Sequence, residues 1–217
     1  MTGHSLDAAI ADRLSVHGVA VEKDVAAQCA IYLDLLARWN RKINLTALPL
    51  VGPQLSSSID KLVVEPLLAA SVAPFQDGSW YDLGSGGGSP AIPMRLANPR
   101  GALVMVESRE RKCAFLREVA RTLGLTRTSV ENSRFESVRL AGDADLVTVR
   151  AVRIDRELFS LVAGLLRPGG RFVAFGVTPS DARFELVHRC ALPDGSPLNV
   201  FTHLDVPRGT IASDGSD

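Results

Sequence analysis

The sequence predicts an α/β domain, with a mostly parallel central sheet, helices on both faces and a closing antiparallel hairpin, behind an N-terminal helical extension. Three observations predict it. From residue 79 short apolar runs alternate with helical periods, the rhythm of strands joined by crossover helices. A glycine-rich run stands at the first strand-to-helix junction, where backbone must come close to something. Ahead of these, the chain carries helical periodicity and no strand pattern. At 217 residues the chain can bury one sizeable core and is too short for two ordinary domains with linkers. The expected organisation is a helical extension over residues 1–70, a core over 71–207, and a small, polar, disordered tail over 208–217.

Taken in order, residues 6–17 and 24–42 read as amphipathic helices. In the second, Val25, Cys29, Tyr32, Leu36, Trp39 and Ile43 recur at three- and four-residue steps, and Asp24 is placed to cap it. A further helix is predicted from Ser58 to Ala70, with Pro66 expected to kink or split it. Strand one is Trp80 to Leu83, and its helix, Ala91 to Ala97, stops before Pro99. Strand two, Ala102 to Val106, ends at Glu107, and Glu110 to Leu123 is helical up to Gly124. Thr128 to Glu131 is a short third strand. Leu146 to Val149 is a buried fourth, and Asp155 to Leu166 a helix. Pro168-Gly169-Gly170 then turns into a fifth strand, Arg171 to Phe175. Phe184 to Ala191 and Asn199 to Val206, around a turn at Pro193 to Pro197, form the hairpin.

Composition narrows the function. Net charge is zero, so no whole-protein field advertises nucleic acid, yet residues 91–189 hold 17 Lys or Arg against 11 Asp or Glu. Cys29, Cys113 and Cys190 are odd in number and scattered, as suits reduced thiols, and neither they nor the four histidines have metal-ligand spacing. No apolar run approaches a membrane span and the start lacks a signal-peptide pattern. The expectation is a cytoplasmic protein, monomeric, without metal or membrane.

The run Trp80-Tyr81-Asp82-Leu83-Gly84-Ser85-Gly86-Gly87-Gly88-Ser89-Pro90 decides between two cofactor classes. A dinucleotide fingerprint wants a small residue at the end of G-x-G-x-x-G, so that helix packs on strand, and it gains little from a carboxylate two residues before the first glycine. S-adenosylmethionine (SAM) carries no phosphate but has a sulfonium and an ammonium that an acid such as Asp82 can favour. The D-x-G-x-G-x-G pattern of Asp82, Gly84, Gly86 and Gly88 therefore resembles motif I of Rossmann-like methyltransferases. Glu107, about twenty residues on at the end of strand two, stands where a carboxylate can accept from both ribose hydroxyls. Ser133-Arg134-Phe135-Glu136, after strand three, can flank an adenine.

With these residues in place, the chain resembles the RsmG (GidB) family of bacterial methyltransferases. The resemblance runs from about Tyr32 to Phe175. It rests on Tyr32-Leu33, Trp39-Asn40 and Ile43-Asn44-Leu45-Thr46, on the glycine run with Pro90 and Ile92-Pro93, and on Glu107-Ser108, Arg111-Lys112 and Phe115-Leu116. Ser133 to Glu136 and Arg150-Ala151 complete it. The glycine motif is shared by many methyltransferases, whereas the W-N-x-x-I-N-L-T segment is much more specific. The resemblance implies SAM as cofactor, N7 of a guanine in 16S ribosomal RNA as methyl acceptor and the small ribosomal subunit as partner. By position it implies cofactor contacts at Gly84, Ser89, Phe135, Glu136 and Arg150; Asp82, Gly86 and Glu107 join them on chemical grounds. Arg111, Lys112 and Arg134 are the candidate RNA contacts.

The chain departs from the family pattern in places. Ser89 replaces a larger apolar residue and Ala91 a glycine. Ser57 and Asp60-Lys61 stand where the family carries a histidine and an Asp-Ser pair, and Ala174-Phe175-Gly176 lacks the lysine usual after strand five. These losses fall on the side expected to face RNA. A methyltransferase of another RNA or of a small molecule, or a module that binds SAM without turnover, stays open at this point. Near strand four there is neither an Asn/Asp-Pro-Pro-aromatic run for an exocyclic amine nor a cysteine for pyrimidine carbon. Guanine N7, which carries no proton, needs neither, so no catalytic residue is assigned.

Overall fold

A computed structural model describes residues 5–22, 24–74 and 77–205. The expected tail, 208–217, lies outside the described residues. Helices α1 (Leu6–Val16) and α2 (Val25–Asn40) form where the periodicity predicts them. Asp24 does not cap α2: its side chain makes no capping hydrogen bond, and its own backbone is already helical, which turns the carboxylate away from the first free amides.

Residues 55–72 are helical throughout, as α3 (Leu55–Ile59), a π-helical turn (Asp60–Val64) and α4 (Glu65–Val72). Pro66 therefore does not interrupt the helical run. A proline has no N–H to give to the carbonyls one turn back, and the wider π turn is how the helix accommodates that loss.

Seven strands follow in one sheet: β1 (Ser79–Leu83), β2 (Ala102–Val106), β3 (Thr128–Glu131), β4 (Ala144–Val149), β5 (Leu166–Phe175), β6 (Phe184–Ala191) and β7 (Pro197–His203). Their order is β3-β2-β1-β4-β5-β7-β6, parallel from β3 to β5, with β7 antiparallel to β5 and to the edge strand β6. Helices α5 (Ala91–Ala97), α6 (Glu110–Thr122) and α7 (Arg156–Leu165) lie between strands. The predicted turn at Pro168-Gly169-Gly170 is a bulge within β5: Leu166 pairs with Ala144 and Arg171 already with Leu146. No helix stands between β5 and β6, as the short 176–183 connection requires.

Alternation along the strands divides the core in two. On one face Trp80, Leu103, Met105, Leu146, Val173 and Val200 join a cluster with Ile10, Cys29, Tyr32, Leu36, Leu67, Ile92, Phe115 and Leu116, so the N-terminal helices share the sheet's own core. On the other, Val147, Val149, Phe172 and Phe201 pack with Leu158, Phe159, Val162 and Leu165 of α7. None of the helices described is long and apolar enough to cross a membrane.

Candidate cofactor and active site

The strand order reverses between β1 and β4, so loops leaving their C-terminal ends diverge and open a crevice. The glycine run leaves β1 at that point. Gly84 takes φ +76, a conformation strained for any side chain, and a Cβ there would also meet Val152 at 2.9 Å. Gly87 is needed for close approach: a Cβ would stand 3.1 Å from the Leu45 carbonyl oxygen.

Leu45 belongs to the W-N-x-x-I-N-L-T segment, whose geometry explains its residues. The Asn40 side chain accepts from the Leu45 and Thr46 amides at 2.8 and 3.0 Å and donates to the Thr46 carbonyl at 2.9 Å. That folds residues 40–46 into a compact loop against the glycines. The buried Tyr32 hydroxyl, its pKa pushed up by burial, donates to the Gly87 carbonyl at 2.7 Å and fixes the other side.

Glu107 holds the loop from below. Its carboxylate accepts from the Gly86 amide at 3.0 Å and the Arg109 amide at 2.8 Å, and the residue is 7% exposed. Each oxygen retains acceptor capacity beyond these bonds.

Two cavities meet here, sharing Gly84 and Glu107. One, about 430 Å³, is lined on its far side by Lys61, Ser89, Lys112, Arg150 and the Leu45-Thr46 backbone. The other, about 240 Å³, is lined by Val106, Ser108, Ser133, Arg134, Phe135 and Glu136. Gly84, Gly86, Ser89, Glu107, Phe135, Glu136 and Arg150 are thus brought to one continuous crevice. Lys112 stands at the first cavity and Arg134 at the second, while Arg111 lies exposed on α6 outside both.

Asp82 is placed differently from the expectation. It is 1% exposed, beneath the glycine loop and outside both linings. Trp80 Nε1 donates to Thr148 Oγ1 at 2.9 Å, and that hydroxyl donates to Asp82 Oδ1 at 2.5 Å, while Oδ2 has no hydrogen-bond partner. Burial pushes the carboxyl up to about 6, against the lowering effect of its hydrogen bonds and of Arg150. A deeply buried acid with an unpartnered oxygen places negative potential under the loop.

Arg150 is the most constrained group in the larger cavity. Its guanidinium pairs with the buried Glu65, donates to the Lys61 carbonyl at 2.6 Å and to Ser89 Oγ at 3.1 Å, and lies over the Phe175 ring at 5.2 Å. Glu65 also has Lys61 Nζ at 3.3 Å, and Lys61 reaches Asp194 in the hairpin turn at 2.6 Å. Burial raises the Glu65 carboxyl, and Arg150 and Lys61 counter it. Asp155, near Arg150 in sequence, instead caps α7 by accepting from the Leu158 amide.

Pro66 connects this chemistry to the sequence. The carbonyls that an N–H at position 66 would occupy in α or π register are those of Leu62 and Lys61. Ser89 Oγ donates to the first at 3.0 Å and Arg150 to the second. Asp60, at a departure from the family pattern, is taken by Arg13 at 2.5 Å and by His17 at 3.4 Å, tying α1 to the π turn.

The sequence reading missed Glu65 and Thr148. Each leaves a signal: a lone polar group inside an apolar run, Leu62-Val63-Val64-Glu65 and Leu146-Val147-Thr148-Val149, is buried and must find a partner. Among the described residues no cluster of His, Cys, Asp or Glu could hold a metal ion.

Comparison with known proteins agrees with this geometry. Solved structures with the same fold include an RNA methyltransferase from Salinibacter ruber in complex with S-adenosyl-L-homocysteine (TM-score 0.58, 18% identity, 67% of this chain and 94% of that one). A SAM-dependent methyltransferase from Aquifex aeolicus is a second (TM-score 0.54, 11% identity, 68% and 93%). At these identities the likeness establishes the Rossmann-like methyltransferase fold. In sequence, the ribosomal RNA small subunit methyltransferase G of Stenotrophomonas maltophilia is 36% identical over 213 residues, covering 95% of this chain and 93% of its own length. That of Xanthomonas campestris is 32% identical over 197 residues, covering 90% and 89%. The profile of the GidB family, described as rRNA small subunit methyltransferase G, matches residues 25–201. The Trp39 to Thr46 clamp, the glycine run and Arg150 all lie inside that match, and the chain belongs to the GidB (rRNA small subunit methyltransferase G) family.

Proposed function

We propose that this chain is a SAM-dependent methyltransferase that modifies N7 of a guanine in 16S ribosomal RNA, acting in the cytoplasm as a monomer on RNA or the small ribosomal subunit. The observation that carries the reading is the pair of cavities joined at Gly84 and Glu107. Their volumes and linings suit an elongated ligand with an adenosine end and an amino-acid end.

The residues present fit SAM. Phe135, Glu136 and Ser108 border the adenine end. The remaining lone pairs of Glu107 would accept the ribose hydroxyls, and the glycine loop at Gly84 and Gly86 would hold the middle of the cofactor. At the other end Arg150 and Ser89 would border the carboxylate, and Asp82 beneath the loop would favour the cofactor's positive charge. When bound, SAM supplies an electrophilic methyl group.

Guanine N7 has an in-plane lone pair and no proton, so the protein has no proton to move. Its work is to hold nucleophile and methyl in line and to exclude water, an effect that can supply several kcal/mol. Cys113 is no nucleophile here: it is buried, its thiol is pushed up by burial, and its Sγ donates to the Glu107 carbonyl at 3.1 Å. Because N7 lies in the deep, narrow groove of A-form RNA, the target should sit in a loop or be swung out of its stack.

The test is incubation with labelled SAM and either small ribosomal subunits from cells lacking the modification or bare 16S RNA, followed by mapping of the label. Label at N7 of one guanine supports the proposal. SAM bound one-to-one with no label on either RNA would reduce the protein to a binding module.

A further inference from the structure

A second basic surface lies outside the cofactor crevice. The C-terminal end of α2 and the facing side of α6 enclose a hollow of about 360 Å³ lined by Arg38, Trp39, Arg41, Lys42 and Glu118. Arg38 has an exposed partner one turn away, Asp34 at 3.2 Å, a pair of little energetic weight. Among the described residues no ion pair reaches Arg41, Lys42, Arg111 or Lys112. The lining carries Arg38, Arg41 and Lys42 against the one carboxylate of Glu118, a local excess of positive charge in a chain of zero net charge.

An aromatic ring sits among them. Trp39 is half-buried, and its ring is held against Phe115 of α6, centroids 5.9 Å apart and planes at 59°. A ring already fixed by its neighbour loses little freedom when something stacks on it.

The hollow and the crevice share no lining residue, but both lie along α6 and the segment that follows α2. Lys112, one helical turn before Phe115, lines the cofactor cavity, as do Thr46 and Leu48 from the loop that follows α2. From Lys112 to Glu118 is about 9 Å along α6 at 1.5 Å per residue.

We infer that this surface docks a single-stranded segment of the RNA substrate, with Trp39 stacking on a base and Arg41 and Lys42 contacting phosphates, so that the strand is led past Lys112 to the reacting site. The inference rests on RNA being the substrate. Cations flanking one exposed aromatic face are the combination that binds single strands without reading their sequence. Paired RNA would present no free base to Trp39.

The two tryptophans make the test direct. Trp80 is fully buried, so a fluorescence change on adding RNA reports Trp39. Titration with a single-stranded RNA of about 12 nucleotides should quench it, and Trp39→Leu should weaken binding by about tenfold. The double variant Arg41→Gln/Lys42→Gln should lower the slope of log K against log salt by about 1.4, two phosphates' worth on a single strand. It should also raise KM for small subunits. SAM affinity, measured by calorimetry, should be unchanged in the double variant, whose side chains line neither cofactor cavity, and reports that its fold is intact. Wild-type RNA affinity and salt slope in the double variant would overturn the inference, as would equal quenching by anionic phospholipid vesicles. If the wild type methylates subunits while the double variant keeps its KM for them, the surface is wrong and the function stands. If the wild type labels no RNA at all, the function is wrong and the surface falls with it.

Discussion

Glu107→Gln separates what the glycine loop needs from what the cofactor needs. The carboxylate accepts two backbone N–H groups, one per oxygen, at 3.0 and 2.8 Å in a site almost closed to water. A glutamine keeps one oxygen and must turn its amide nitrogen toward the other N–H. One charge-assisted bond is lost, one buried donor is stranded, and the surviving bond is weakened. Hydrogen bonds to charged groups contribute about 1.5 to 3 kcal/mol, so the variant should lose about 2 to 4 kcal/mol of stability. For a chain of this size that is a fall in Tm of about 5 to 15 °C. SAM affinity should fall by at least tenfold, about 1.4 kcal/mol, because the ribose faces a mixed donor and acceptor instead of a carboxylate. Thermal unfolding followed by circular dichroism and titration calorimetry read the two effects. Glu136→Gln, exposed on the rim of the second cavity, is the control for Tm and should leave it nearly unchanged. A Glu107→Gln protein with unaltered Tm and unaltered SAM affinity would show that Glu107 supports neither loop nor cofactor, and a lowered Tm with intact affinity would remove Glu107 from the cofactor site.

Asp82, pushed up to about 6 from an ordinary 3.8, holds its proton more tightly folded than unfolded. The stability of wild type relative to Asp82→Asn should therefore fall by about 3 kcal/mol as pH rises from about 4 to 6, read by urea unfolding without cofactor; no change in that difference would mean the carboxyl is better solvated than its surroundings imply. Pro66→Ala restores an N–H that competes with Ser89 and Arg150 for the Leu62 and Lys61 carbonyls, so SAM affinity should weaken severalfold with Tm held or raised; calorimetry showing wild-type affinity would make those two carbonyls irrelevant to the cofactor. The single-turnover methyl-transfer rate should be nearly flat from about pH 6.5 to 9, whereas a general base titrating there would give a tenfold rise per unit. Cys113→Ala should keep that rate at saturating substrates, and a covalent RNA adduct trapped through Cys113 would sink the N7 assignment.

Much of this protein is written in local sequence. Strand and helix alternation, the glycine turn and the acid ending β2 follow from backbone sterics and burial period, which act over a few residues, and each stands where the periodicity predicts it. The family segment from Trp39 to Thr46 is equally local, since Asn40 closes its loop on atoms no more than six residues away. The β5 bulge was not legible, because Pro168-Gly169-Gly170 reads as a turn until β4 supplies the pairing that keeps it in the sheet.

Partners distant in sequence, by contrast, are set by how the folded chain packs. Arg150 finds Glu65, 85 residues away, and Asp82 accepts from the Thr148 hydroxyl, 66 residues away, which itself accepts from Trp80 Nε1. The sequence marks such groups as polar residues in apolar runs, but a buried charge can be satisfied by any complementary group that packing brings within reach. Which one does so is set by how the π turn at Pro66, the glycine loop and β4 converge, and that convergence is a property of the assembled core, not of any one segment.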